Sequence, residues 1–339
     1  MSFLNIALGK ITKHYGNIPV VGFDIKIDSQ RLGLAIMLGS IPTEPYPKGT
    51  MLFFKYENAK NGSKITWCRS DKDRENVWKN QDFATSFFKD FEAILITIRN
   101  TDITYLRAQF YEENSVFLAK LGKLFERIPK IRSNVLVVDV STEEEIIGVL
   151  KCLSAETLES INVGTTGDVN ITIPIRDVAN YEQWIRAKYL EMSEIDVVAA
   201  IQKFASFEKA HISFARFLFD SFNDLKEIFS NSPTPQNFHI LSVNNMDNIT
   251  ELIENYGPPY VDTTEENRTR KSWFFDIGNH QFLRVSLFAV LMEFQRISRE
   301  EEVPRSARII TQNYRLKQCS SGSVDKRGDN GSGGPGFKS

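Results

Sequence analysis

Four histidines (His14, His211, His239, His280), three cysteines (Cys68, Cys152, Cys319) and two glutamate runs are the side chains best equipped for chemistry in this 339-residue chain. Acid–base catalysis needs such groups within hydrogen-bond reach of one another, and a metal needs them at ligand spacing. The histidines are scattered, without the i, i+4 pairing that puts two imidazoles on one helix face. The cysteines are odd in number and far apart, which fits buried or incidental thiols rather than a disulfide framework or a zinc site. Glu143-Glu144-Glu145 reads as a helix N-terminus, where negative charge is stabilising, and Glu300-Glu301-Glu302 as a solvated run. Gly164-Thr165-Thr166-Gly167 follows a strand as a phosphate-gripping turn does. The next segment, Asn170 to Ile175, looks extended where such a turn needs a helix. A Gly-x-Ser-x-Gly elbow, a phosphate loop ending Gly-Lys-Ser/Thr and a Gly-x-Gly-x-x-Gly fingerprint are all missing. The expectation is a protein that is not an enzyme and uses no metal or cofactor.

The polar residues that matter more sit inside a repeated apolar frame between Ile103 and Val243. The frame is apolar, two residues, apolar, one residue, apolar. It fits Ile103-xx-Leu106-x-Ala108, Val135-xx-Val138-x-Val140, Leu158-xx-Ile161-x-Val163, Trp184-xx-Ala187-x-Tyr189, Phe207-xx-Ala210-x-Ile212 and Phe238-xx-Leu241-x-Val243. The slot between the last two apolar positions is polar each time: Arg107, Asp139, Asn162, Lys188, His211 and Ser242. Apolar–polar–apolar alternation marks a strand with one buried face. A spacing of roughly 23 to 32 residues suits one strand and one helix per unit.

Helical segments are expected between the matches. Val116 to Ile128 places Phe117, Leu121, Leu124, Phe125 and Ile128 on one face, and Pro129 ends it. Ser141 with Glu144 reads as a capping box before Ile146, Ile147, Leu150 and Leu153. Ser193 with Asp196 offers a weaker start for a helix through Val197, Val198, Ile201 and Phe204. Phe217 to Phe229 forms another, and a last short one ends at Gly257-Pro258-Pro259. Before the repeats, Phe23 to Ile27 and Leu32 to Leu38 suit a hairpin turning at Asp28 to Arg31. Met51 to Tyr56 and Ile65 to Cys68 form strands around Asn61-Gly62, and Asp82 to Ile98 a helix. After the repeats, Trp273 to Ile277, Gln281 to Leu287 and Val290 to Ile297 read as strands.

Charged residues make up 25% and the net charge is −2, so no long-range field favours nucleic acid or an anionic membrane. The 25 phenylalanines mark a chain that packs a core. No apolar run approaches the length of a membrane span, and Met1 to Tyr15 is too quickly charged for a signal peptide. A cytoplasmic protein, with the nucleus as the alternative, is expected.

Several of these stretches together resemble the nematode FTH (F-box-associated) domain. They are Leu106-Arg-Ala-Gln-Phe110, Val135 to Val140, the segment from Ser141 to Leu153, and Leu158-Glu-Ser-Ile-Asn-Val163. Ala187 to Met192, Phe204 to Lys209 and Trp273-Phe-Phe-Asp-Ile-Gly-Asn279 continue the resemblance, which spans Gly22 to Arg299. It implies a substrate-holding domain, in a family whose N-terminus carries an F-box that docks on a Skp1-type adaptor of a cullin ubiquitin ligase. This chain departs there: some 20 residues precede the first strand, without the Leu-Pro opening of an F-box. Met1 to Tyr15 reads as the remnant of its last helix.

The fold expected is α/β: an irregular leucine-rich-repeat-like strand–helix array preceded by a small α+β region. Residues 1–21 form a stub, 22–100 the α+β region, 101–300 the FTH-like repeats, 301–317 a linker, and 318–339 a disordered Gly/Ser-rich tail. The function expected is a non-catalytic protein-interaction module with a protein partner. A working adaptor of a Skp1–cullin ligase is the alternative, and an RNA-binding protein or an enzyme a remote one. The contact residues expected are Arg107, Gln109, Asp139, Asn162, Lys188, His211 and Ser242, the polar residues of the strand face.

Overall fold

A computed structural model describes residues 20–39, 50–68, 74–111, 115–167, 171–232, 236–242, 245–263, 269–288, 291–298 and 303–311. The expected stub, Val243, Glu300-Glu301-Glu302 and the Gly/Ser-rich tail fall wholly or almost wholly outside these residues, as does part of the linker.

Alternating apolar residues build a hairpin of β1 (Val20–Asp28) and β2 (Arg31–Leu38), closed by Asp28, which accepts hydrogen bonds from the Gln30 backbone N–H and the Arg31 guanidinium. The meander continues through β3 (Thr50–Ala59), β4 (Gly62–Cys68) and β5 (Arg74–Lys79). Gly62 turns the chain between β3 and β4 at φ +129°, a conformation that disfavours side chains, and a Cβ there would lie 2.0 Å from the Lys79 carbonyl.

Helix α1 (Phe83–Ile98) starts at Asp82, whose carboxylate accepts the Thr85 N–H at 2.8 Å. It carries the chain back across the meander, so that β6 (Ile103–Phe110) pairs in parallel with the free edge of β1.

From β6 the strands are laid down side by side in chain order. The array comprises α2 (Ser115–Phe125), β7 (Ser133–Asp139), α3 (Glu143–Leu150), β8 (Ser160–Gly164), β9 (Thr172–Pro174), α4 (Glu182–Arg186), β10 (Tyr189–Val198), β11 (Lys209–Phe214), α5 (Phe219–Asn231) and β12 (Asn237–Ser242). β6, β7, β8, β10, β11 and β12 are each parallel to the one before, and β9 pairs with the second half of β10. Helix α6 (Asn245–Tyr256) then leads to β13 (Tyr260–Thr263), β14 (Thr269–Gly278), β15 (Gln281–Phe288) and β16 (Leu291–Ser298). This second meander folds back so that β16 lies antiparallel to β12, and β17 (Ile309–Ile310) joins β14. The result is a mixed α/β chain built on one large sheet: a parallel centre with an antiparallel meander on each flank.

The helices pack on one face of this sheet. Phe87 and Phe91 of α1 and Phe117 of α2 meet Tyr56, Phe23 and Phe110 from the strands. At the far end Phe222 of α5 contacts Phe275 and Phe294, and Phe229 contacts Phe238. Each fully buried aromatic of this kind contributes roughly 2–3 kcal/mol by leaving water.

Buried polar side chains tie one connecting segment to the next. The Glu143 carboxylate, at the start of α3, accepts the backbone N–H groups of Arg176, Asp177 and Val178 at 2.7, 2.8 and 2.9 Å. Gln183 donates to the Leu153 carbonyl, and Gln236 to those of Ala205 and Phe207. Loops buried at these joints thus keep their polar backbone groups paired.

Two expected elements differ. The capping box is formed by Thr142 and Glu145 rather than Ser141 and Glu144, because α3 begins at Glu143. Ser193 and Asp196 start no helix. They lie within β10, where Ile195 and Val197 are buried and Asp196 accepts the Ser213 hydroxyl at 2.7 Å; only a 3-10 turn follows, over Ile201–Phe204. The β-branched run Ile195, Val197, Val198 fits a pleated strand better than a helix.

Candidate partner-binding face

With the helices gathered on one face, the other face presents the alternate side chains of every strand. Register fixes which of them share a row. Asp24 of β1 lies beside Arg107, then come Val137, Asn162, Glu191, His211, His239 and Glu293, one from each successive strand. A second row runs Lys26, Gln109, Asp139 and Gly164.

At the β6–β7 end the row is knitted together. Arg107 donates to Asp139 Oδ2 at 2.7 Å and Gln109 Nε2 donates to the same oxygen at 2.8 Å. Gly164 leaves room above β8: a Cβ there would come within 2.9 Å of Asp139 Oδ1 and 3.1 Å of Glu194 Oε2. Burial lifts the Asp24 carboxyl above its ordinary range, against the pull of Lys26 and Arg107.

At the β10–β12 end a Glu–His–His–Glu run crosses four strands. His211 Nδ1 is 3.3 Å from Glu191, His239 Nε2 is 3.5 Å from Glu293, and the two imidazoles meet edge to face at 5.5 Å. The hydrogen bond from His239 holds the Glu293 carboxyl below its ordinary range, despite burial, with Arg284 and Arg270 adding to it. Among the described residues no group of three or more His, Cys, Asp or Glu gathers to hold a metal ion. Burial pushes the Cys152 thiol up, away from the thiolate form a nucleophile needs.

The structure places the sequence-derived residues unevenly. Arg107, Asn162 and His211 stand in the first row, and Gln109 and Asp139 in the second, both largely buried by their mutual hydrogen bonding. Lys188 precedes β10 and pairs with Glu159 at 3.2 Å. On β12 Ser242 stands in register with Phe214 and not with the row, whose position His239 occupies. Glu191 likewise takes the row position on β10. In both strands the apolar frame fits the sequence three residues downstream of one match or upstream of the other: Leu190-x-Met192 and Phe238-x-Ile240 are the buried pairs. Asp24 and Glu293 lie outside the repeats, and only the return of the flanking strands brings them into line.

A groove of about 470 Å³ opens on the same face at the first meander, lined by Asp24, Lys26, Gly33, Ala35, Phe53, Lys55 and neighbours. The corresponding part of the second meander is filled. Phe274, Phe282 and Ile297 form a small second core there with Tyr260, Val303 and Ala307.

The class of protein is therefore a mixed α/β chain with helices on one side of a long sheet and a polar row on the other. Residues 115–256, from α2 through α6, match the FTH domain. That match is narrower than the Gly22 to Arg299 resemblance and leaves both meanders outside it. No curated protein and no solved structure matches the chain. Among the described residues no helix is long and apolar enough to cross a membrane.

Proposed function

We propose that this protein is a non-catalytic protein-interaction module whose partner lies across the open face of the sheet. The observation that carries this reading is the continuous row from Asp24 to Glu293, half-exposed and polar at most positions, on the side away from the helices. Strands adjacent in chain order with helices on the opposite side support a leucine-rich-repeat-like description, in which the strand face is the recognition surface. The contacts proposed are Arg107, Asn162, Glu191, His211, His239 and Glu293. Gln109 and Asp139 hold Arg107 in place, and Lys188 stays at the margin of the surface. The FTH match supports the F-box-associated reading, in which the bound protein is a ligase substrate and a Skp1-type adaptor a second partner, in the cytoplasm or nucleus.

The test is affinity capture with three baits: the native chain, a variant combining Glu191→Ala, His211→Ala and His239→Ala, and Glu227→Gln on the helix side. The expected result is a protein retained by the native chain and the Glu227 variant and lost from the triple variant, with circular dichroism unchanged. Equal retention by all three would refute the open face as the binding surface.

A further inference from the structure

We propose that the groove at the first meander is a second docking site, for an extended acidic peptide segment of a partner anchored by one apolar side chain. The site lies outside the FTH-matched residues, and it rests on reading the open face as a partner surface.

The groove follows from register. On β2 two adjacent open-face positions between Arg31 and Met37 are Gly33 and Ala35, each flanked by larger residues in neighbouring strands. Gly33 lies between Lys26 and Lys55, and Ala35 between Asp24 and Phe53. Two small residues between two walls make a trough running along β2, and its 470 Å³ falls within the roughly 300–1,000 Å³ of ligand clefts. The trough has an apolar floor and one exposed aromatic wall, since Phe53 is 45% exposed. Two strands further out, on β5, Trp78, 68% exposed, stands beside Lys64 of β4, whose ammonium is 5.9 Å from the indole ring. Large exposed aromatics on a strand face leave apolar surface in water, which a partner side chain would remove.

Charge selects the partner. Lys26, Lys55 and Lys64 line the groove against two carboxylates, Asp24 and Glu57. Lys55 is held by Glu57 at 2.6 Å, while neither Lys26 nor Lys64 forms an ion pair among the described residues. Two ammonium groups on either side of an apolar trough fit a segment that places carboxylates around one apolar side chain. A nucleic-acid backbone fits less well, because Asp24 and Glu57 interrupt the positive lining and the chain as a whole carries −2.

The test uses fluorescence polarisation on the full chain with four labelled probes. These are a heptapeptide with phenylalanine flanked by glutamates, the same peptide with alanine for phenylalanine, phenylalanine flanked by lysines, and oligouridine. The glutamate–phenylalanine peptide is expected to bind about ten-fold or more tighter than the other three, and less tightly as salt is raised. Lys26→Glu, at an exposed position, combined with Lys64→Glu, at a half-buried one, should abolish the preference, with circular dichroism unchanged. Ala35→Trp should fill the trough and block binding, and Glu227→Gln should leave it unchanged. Binding indifferent to flanking charge, preference for oligouridine, or binding insensitive to both groove variants would overturn the proposal. Retained partner capture through His211 and His239 alongside such a failure would sink the groove alone and leave the open-face reading standing.

Discussion

The two meanders that flank the parallel strands share a topology and differ in what covers them. In the first, β1 to β5 fold out from the array and α1 brings the chain back. In the second, β13 to β16 fold out beyond α6 and return to β12. Both bury aromatic clusters against helices on one face. On the other face the second meander carries Phe274, Phe282 and Ile297, sealed by Val303 and Ala307, whereas the first carries Gly33 and Ala35 and leaves a groove. The two ends share a helix-side core, while the choice of small or large residues on the open side decides whether that face is filled or left as a groove.

Removing a helix-side anchor should hurt both ends alike. Phe87→Ala and Phe222→Ala each delete a fully buried ring and should cost about 3–5 kcal/mol in chemical denaturation. A cost confined to one end would show that the two meanders are not equivalent supports. On the open side the ends should part. Phe282→Ala, at 2% exposure, should cost about 3 kcal/mol, and Phe53→Ala less than about 1 kcal/mol. Equal costs would mean that Phe53 is as structural as Phe282.

Within the parallel centre, Thr142→Ala removes a cap whose hydroxyl accepts the Glu145 N–H, and should cost about 1 kcal/mol without affecting either meander. The smallest effect concerns pH. Glu293 has a depressed folded-state value, so the stability it adds is present above the ordinary glutamate range of about 4.3 and is lost as pH falls through its folded value. Asp24 has a raised value, so its ionised form costs stability once pH exceeds that folded value. Glu293→Gln should therefore flatten the acid limb of the stability–pH curve, and Asp24→Asn should leave stability at neutral pH equal or higher. Denaturation curves across the acid range would check both signs.

Much of this was legible in the sequence. The hairpin at Asp28 to Arg31, the strands around Gly62, helix α1 and the three strands after Trp273 follow from alternation and turn residues that act locally. The parallel strands were legible as a period, but their frame was ambiguous wherever apolar residues are dense. Tyr189 mimics a buried position although it is exposed, and Leu241 does so on β12 although it is only half-buried, so Lys188 and Ser242 stood in for Glu191 and His239. The Glu–His–His–Glu run could not be read at all, because Glu293 arrives through a long-range antiparallel return whose partner strand no local pattern names. The groove was hidden for the same reason: Gly33 and Ala35 look unremarkable until Lys26 and Phe53 are placed on either side.

The most direct test of the open face as the partner surface is site-specific photo-cross-linking. A photoreactive amino acid would replace His211 on the open face in one variant and Ile185, an exposed residue of α4, in another. Cross-links to the same discrete protein from the His211 position, absent from the Ile185 position, are expected. Cross-links from Ile185 with none from His211 would contradict the assignment and move the partner to the helix side of the sheet.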